Sequence, residues 1–418
     1  MSGAPRLARR LGTSDAVVIG LGSMVGAGVF SAFAPAAKAA GAALLLGLAV
    51  AALVAYCNAT SSAQLAATYP TSGGTYVYGR EQLGEWWGFL AGWGFVVGKT
   101  ASCAAMALTF AAYVAPPSWQ RPVAVAVVVA LAAVNYRGVT RTAQLTRVVV
   151  AVVLAVLALA VVACLLGDRA GAVGAGWTVT GGWRGVLQSA GLLFFAFAGY
   201  ARIATMGEEV KDPERTIPRA IVAALLVAVV VYALVGTALL VALGVDGVAG
   251  SSAPVADAVR TAGWGWAVVP VRVGAAAAAM GALLALVAGI GRTSLAMARH
   301  HDLPGWLGGV HPRFQVPHHA EVALAVVVSV LVLVVDLRGA IGFSSFGVLL
   351  YYAVANLSAL TQGPERRRFP RWLQVVGVAG CLVLVATLPL TSVLSGLAVF
   401  AVGVGYRLLR LRGSHADA

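Results

Sequence analysis

Gly20-Leu-Gly-Ser-Met-Val-Gly-Ala-Gly-Val-Phe30 is the stretch on which the reading of this chain turns. It lies in the first long apolar segment, Asp15 to about Ala37. Four glycines, Gly20, Gly22, Gly26 and Gly28, fall within nine residues. Each costs about 1 kcal/mol relative to alanine in a helix interior. In hydrocarbon an opened backbone group also needs a polar partner, so a broken helix persists only where it is buried in protein or lines a cavity. Residues 22–28 are therefore expected to be unwound. Bare amides at the start of the second half-helix can hold a carboxylate, and freed carbonyls can hold an ammonium. The competing reading is a Gly22-x-x-x-Gly26 face for helix packing.

The surrounding composition fixes the class. Of 418 residues 60% are hydrophobic and 11% charged, in repeated apolar runs near 20 residues, which means a polytopic membrane protein. Net charge is 29 − 15 = +14. The basic residues cluster in alternate loops, so the positive-inside rule accounts for them and no nucleic-acid partner is implied. The first residues lack the short apolar core and small-residue cleavage site of a signal peptide, so the first apolar segment is expected to remain as a span. Cys57, Cys103, Cys164 and Cys381 all fall in apolar segments without metal-ligand spacing. Arginine outnumbers lysine 26 to 3, as a GC-rich bacterial genome would give.

Twelve spans are expected, near 15–37, 41–67, 86–114, 122–136, 146–167, 185–206, 217–243, 268–298, 320–335, 340–361, 372–388 and 390–410. With the N-terminus in the cytoplasm, the inner segments hold 20 Lys and Arg and the outer ones 7, so both termini are expected to be cytoplasmic. Span 6 has its own interruption, Phe194-Phe-Ala-Phe-Ala-Gly-Tyr200. The two breaks are offset by nearly the same number of residues as spans 2 and 7. Interrupted segments at matching positions of two five-span halves of opposite topology point to a transporter's substrate site. The chain thus divides into a cytoplasmic segment, 1–14, a ten-helix core, 15–361, with repeats at about 15–167 and 185–361, two further helices in 362–410, and a cytoplasmic tail, 411–418.

Two loops carry density of charge or histidine. Gly207-Glu-Glu-Val-Lys-Asp-Pro-Glu-Arg-Thr-Ile-Pro-Arg-Ala220 suggests ion pairs at the inner mouth, or simply a solvated loop. Residues 300–319 hold five of the six histidines, but no cysteine or acidic partner is arranged around them, which favours a basic juxtamembrane loop over a metal site.

Three segments together carry a resemblance. Gly22-Ser-Met-Val-Gly-Ala-Gly-Val-Phe30 resembles the first-span motif of the amino acid–polyamine–organocation (APC) permeases. Phe194–Tyr200, running into Glu208-Glu-Val-Lys-Asp-Pro-Glu-Arg-Thr-Ile-Pro-Arg219, resembles their sixth span and following loop. Ala296-Met-Ala-Arg299 with Leu303-Pro304 and Val310-His-Pro-Arg313 resembles the end of their eighth span. The resemblance implies the five-plus-five inverted-repeat fold of the leucine transporter, alternating access, and an amino acid or related amine as substrate. By position it implies carboxylate-binding amides at Ser23, Met24, Gly26, Ala27 and Gly28. It implies amine-binding carbonyls near Gly20 and at Phe194, Ala196 and Ala198, and an outer aromatic gate at Phe195. One departure stands out: many relatives carry an acidic residue two places after the span-6 glycine, where this chain has Ala201 followed by Arg202. That argues against a carboxylate proton relay and against multiply cationic substrates.

Lys99 lies deep in span 3. An intramembrane lysine is costly and marks a functional site by default, here a candidate for coupling. The alternatives are a lysine snorkelling along a tilted helix or capped by backbone carbonyls. Arg202, with Glu208 and Glu209, is the candidate cytoplasmic gate. Ser102, Phe195 and Ser345 are candidates for the side-chain pocket. Gly98-Lys99-Thr100 imitates the end of a P-loop, but Trp93 stands where the motif needs glycine. A membrane enzyme would need clustered His, Asp or Glu near one face, and no such constellation occurs. The expected protein is an all-α secondary transporter of twelve transmembrane helices in a bacterial inner membrane, without cofactor or metal, its partners a small-molecule substrate and the bilayer. Proton coupling and exchange both stay open, as do a passive channel and a ligand-sensing protein without transport.

Overall fold

A computed structural model of the chain describes residues 11–70, 73–138, 143–167, 178–204, 206 and 209–416. The helices follow in order: α1 (Thr13–Met24), α2 (Ala27–Ser31), α3 (Phe33–Ala40), α4 (Leu44–Thr68), α5 (Gly74–Leu83), α6 (Glu85–Val114), α7 (Gln120–Tyr136), α8 (Ala143–Leu166), α9 (Gly182–Phe197) and α10 (Ala201–Ala204). The second part holds α11 (Pro213–Gly250), α12 (Pro254–Thr261), α13 (Val268–Arg299), α14 (His318–Val334), α15 (Leu337–Leu360), α16 (Arg371–Thr387) and α17 (Leu390–Ala416). The chain is all-helical among its described residues, apart from two isolated bridges, Leu11 with Val210 and Gly41 with Val179.

Ten described helical stretches are long and apolar enough to cross a membrane. The other two expected spans, α14 and α16, are apolar but have 17 residues each. At 1.5 Å per residue that is about 25 Å, short of a hydrocarbon core of about 30 Å. Proline sets their limits: Pro317 and Pro370 occupy the N-cap positions, and Leu388 breaks into extended backbone before Pro389. Two helices were not expected. α5 and α12 are short and sit in loops at opposite ends of the bundle. We call the end that carries Thr13 the N-terminal face and the other the far face.

The distribution of side chains is that of a protein dissolved in hydrocarbon. Leu226, Val230 and Leu234 on α11, and Val322, Val326 and Val330 on α14, are each at least half exposed, in stripes at helical spacing. Water would penalise such stripes; lipid tails do not. The interior is alanine- and glycine-rich, which lets helices approach closely. Gly94 and Gly98 of α6 lie directly on Gly347 of α15, so that added β-carbons would come within about 3 Å of opposing backbone.

Several buried polar side chains pair across helices. Asn356 of α15 donates to Asn58 Oδ1 of α4 at 2.6 Å and accepts from Ser61 Oγ at 2.7 Å. Gln64 Nε2 donates to Gln362 Oε1 at 2.7 Å, while its Oε1 accepts from the amides of Arg368 and Phe369. At the N-terminal face Asp302 and Arg407 form a buried ion pair, 4% and 5% exposed. Tyr76 of α5 donates to Asp302 at 2.8 Å, and Arg80 lies 3.6 Å away. Glu85 joins Arg80 at 2.6 Å and Arg407 at 3.5 Å. The Arg407 guanidinium also stacks over Trp86 and Phe89, at 4.9 and 5.0 Å. One cluster thus ties α17 to α5, to the start of α6 and to the loop after α13.

Candidate functional site

The first break is narrower than the glycines suggest. α1 continues through Gly22, Ser23 and Met24, and only Val25 and Gly26 leave helical geometry before α2 begins at Ala27. Ser23 Oγ bonds back to Ile19 O at 3.0 Å, so the hydroxyl serves α1 itself. The Gly26 amide donates to Met24 O at 2.7 Å. Of the five amides implied by resemblance, Ser23 and Met24 belong to α1 and Gly26 is already used. Ala27 and Gly28 open α2, where amides have no partner inside the helix. Gly20 lies a full turn before the break, in mid-helix.

The four glycines meet four different surfaces. A β-carbon on Gly20 would lie 2.2 Å from Ile203 Cδ1, and on Gly22 2.9 Å from Val150 of α8. On Gly26 it would lie 2.9 Å from Ala282 Cβ of α13, and on Gly28 2.6 Å from Ala196 Cα of α9. Gly22 and Gly26 therefore do not form one packing face toward one helix. Gly26→Ala is expected to lower transport through its collision with Ala282. Adding Ala282→Gly returns the volume and should restore it, because volume-conserving exchanges are tolerated best. Labelled-substrate uptake by both proteins checks this, and a dead double variant would assign the bareness of Gly26 to something other than packing.

The second break runs from α9 through a 3₁₀ turn, Ala198–Tyr200, into α10. It lies against the first. A β-carbon on Gly199 would fall 2.2 Å from Ser23 O and 2.6 Å from Met24 N. The carbonyls freed at the two breaks are held by three side chains. Tyr232 of α11 places its hydroxyl 2.7 Å from Met24 O and 3.0 Å from Ala196 O, one proton shared between the two breaks. Lys99 of α6 donates Nζ to Ala198 O at 3.0 Å, and Tyr352 of α15 approaches the same oxygen at 3.4 Å. A carbonyl has two lone pairs. Ala198 O therefore has both engaged, as does Met24 O, which accepts the Gly26 amide and the Tyr232 hydroxyl, whereas Ala196 O retains capacity.

Lys99 is 6% exposed, so it does not snorkel to an interface. Phe194 packs edge-on against Tyr352, with ring centroids 5.9 Å apart, and Phe197 packs at a tilt against Tyr232, at 4.9 Å. Phe195, in the last turn of α9, is 7% exposed. Ser102 meets Ser344 at 2.5 Å rather than Ser345, whose hydroxyl is buried without a partner among the described residues. Arg202 sits half-buried on α10. Glu209 accepts from the Leu11 amide through its carbonyl, at 3.1 Å, and Glu208 lies outside the described residues. The described residues hold no cluster of three or more His, Cys, Asp or Glu suited to a metal, and the four cysteines are free and buried.

Sequence reading missed Tyr232, Tyr352 and Ser344. The available signal was a hydroxyl-bearing aromatic set in an aliphatic run, as in Val229-Val-Val-Tyr232. A buried tyrosine hydroxyl needs a partner, and an opened helix supplies one.

Residues 11–405 match the family described as amino acid permease. The chain is 61% identical over 416 residues to an uncharacterized transporter of Mycobacterium tuberculosis, covering 99% of this chain and 94% of that protein. It is 25% identical over 404 residues to the branched-chain amino acid permease of Bacillus subtilis, covering 90% and 86%. It is 30% identical over 379 residues to cationic amino acid transporter 4 of Homo sapiens, covering 85% of this chain and 60% of the human protein.

Proposed function

Since the chain belongs to the amino acid permease family of the APC superfamily, and is thus a multi-pass membrane transporter and not an enzyme, we propose that it carries amino acids or close relatives by alternating access. The observation that supports this most is the meeting of two broken helices at Gly28–Ala196 and Gly199–Ser23. The substrate carboxylate sits on the Ala27 and Gly28 amides at the start of α2, where backbone N–H groups favour an anion. Its ammonium takes the remaining lone pair of Ala196 O. Phe195 closes over it, and Ser102 and Ser345 face its side chain. Lys99 supplies a fixed or exchangeable positive charge to the second break.

That cation, with Ala201 where an acid could stand, favours neutral side chains over cationic ones. Like charges near one another in a low-dielectric site are costly. In this reading the relative named for branched-chain amino acids is the better guide than those named for cationic ones. We place both termini in the cytoplasm of a bacterial cell, with the N-terminal face inward. We count α14 and α16 as the ninth and eleventh of twelve spans, and take 15–167 and 185–361 as inverted five-span repeats. Residues 1–14 and 411–418 are then cytoplasmic, and 362–410 adds two spans. Arg202 with Glu208 and Glu209 borders the inner mouth.

The test is a thermal-shift screen against the common amino acids, since a ligand stabilises the state that binds it, followed by counterflow of the hit in proteoliposomes. Saturable counterflow is expected. Flux that rises without saturation would sink the carrier in favour of a channel. A ligand that stabilises but never moves would leave a sensor.

A further inference from the structure

A cavity of about 900 Å³ lies beside α14 and α17, and no residue of either broken helix lines it. α14 packs on α6 and α7, and α17 on α15 and α6, but the two share no packed interface. α6 floors the gap through Trp93, Val97 and Thr100. Along α14 the lining runs as a single stripe from Ala320 to Val334, almost the whole helix, and nearly all of it is aliphatic. The crevice therefore follows the membrane normal through the hydrocarbon depth.

Its far-face end is different. Arg121 and Asp336 both line it there. Arg121 is exposed and donates Nη1 to Leu333 O at 2.5 Å, which fixes the guanidinium at the mouth. Asp336 caps α15, its Oδ1 accepting from the Gly339 amide at 2.8 Å. Each charge is held by a backbone group rather than by the other. Trp119, 62% exposed and two residues before Arg121, marks the interfacial level.

We propose that this crevice binds a zwitterionic phospholipid with an amine in its headgroup. The phosphate lies on Arg121, the ammonium faces Asp336, and the tails run down the α14 stripe. A guanidinium and a carboxylate fixed at one mouth match a headgroup that carries both signs. An anionic headgroup would satisfy Arg121 and meet repulsion at Asp336. A helix is a rigid cylinder about 10 Å across, whereas flexible tails follow a narrow, irregular crevice. The lipid would brace α6 on the side opposite Lys99, whose neighbours Val97 and Thr100 form the crevice floor.

The experiment uses the full chain purified in detergent and incubated with vesicles of equal parts phosphatidylethanolamine and phosphatidylglycerol. Retained lipid per protein is then counted by mass spectrometry. Wild type should retain phosphatidylethanolamine in preference. Arg121→Gln should reduce retention about tenfold, the loss of one charge-assisted hydrogen bond. Asp336→Asn keeps the helix cap, since Asn caps as well as Asp, and should erase the preference for phosphatidylethanolamine. Ala323→Phe, which puts a ring into the crevice, should exclude both lipids while a thermal melt confirms folding. The assignment is overturned if wild type retains neither lipid or both equally. Arg121→Gln and Asp336→Asn proteins that behave as wild type would also overturn it. So would a dimer that Ala323→Phe dissolves, which would give the crevice to a second copy.

Discussion

Gly199→Ala is expected to abolish transport. The added methyl would fall 2.2 Å from Ser23 O, 2.3 Å from Ser23 C and 2.6 Å from Met24 N. These are backbone atoms of the other broken helix, and no rotamer change can clear them. The two breaks must separate, at the point where both are proposed to contact substrate. Overpacking costs about 1–3 kcal/mol and more where backbone must move, or roughly ten- to a hundredfold in a binding equilibrium. Gly191→Ala, in α9 two turns before the break, is the control. Its methyl would meet Leu388 Cδ2 at 2.9 Å, the far end of a flexible side chain, and transport should survive. Uptake by proteoliposomes compares the two. Wild-type uptake by the Gly199→Ala protein would mean that the breaks are not in contact during the cycle.

Lys99→Met is expected to remove concentrative uptake, or its pH dependence, while leaving substrate binding intact. The ammonium donates to Ala198 O at 3.0 Å, and that bond to a charged donor is worth about 1.5–3 kcal/mol. Methionine keeps much of the length without charge or donor. Tyr352 still reaches the same carbonyl, at 3.4 Å, so the second break keeps one partner. Uptake against a gradient, measured from acid to neutral pH, should therefore collapse or flatten, while the ligand-induced thermal shift persists. A variant that concentrates substrate with the wild-type pH profile would make Lys99 a structural cap.

The apolar runs made the helices legible, because hydrocarbon demands about 20 residues of one character whatever the packing. The same logic overlooked α5 and α12, which are short and never cross the core. The first break was legible as a glycine cluster, yet its limits were not. Each glycine answers to a different helix, so only Val25 and Gly26 open, while Gly20 and Gly22 serve packing against Ile203 and Val150. The groups that hold the breaks were hidden by distance along the chain. Tyr232 lies 208 residues from Met24, and Tyr352 lies 154 from Ala198. No local pattern announces such pairs. Arg407 shows the same blindness with the opposite sign: counted among cytoplasmic charges, it proves to be among the most buried cations described.

Asp302 leaves the ribosome 105 residues ahead of Arg407. At about 5–20 residues per second, the carboxylate is in place for on the order of five to twenty seconds before its guanidinium exists. Arg80, made earlier, stands 3.6 Å off in the folded chain and is the one cation of this cluster already synthesised. Only when α17 has entered the bilayer can Arg407 reach Asp302, Glu85, Trp86 and Phe89 together. The last helix thus closes a clasp whose other parts were inserted long before. A chain cut short inside α17 carries its own mark of incompleteness, a buried carboxylate left without its permanent partner.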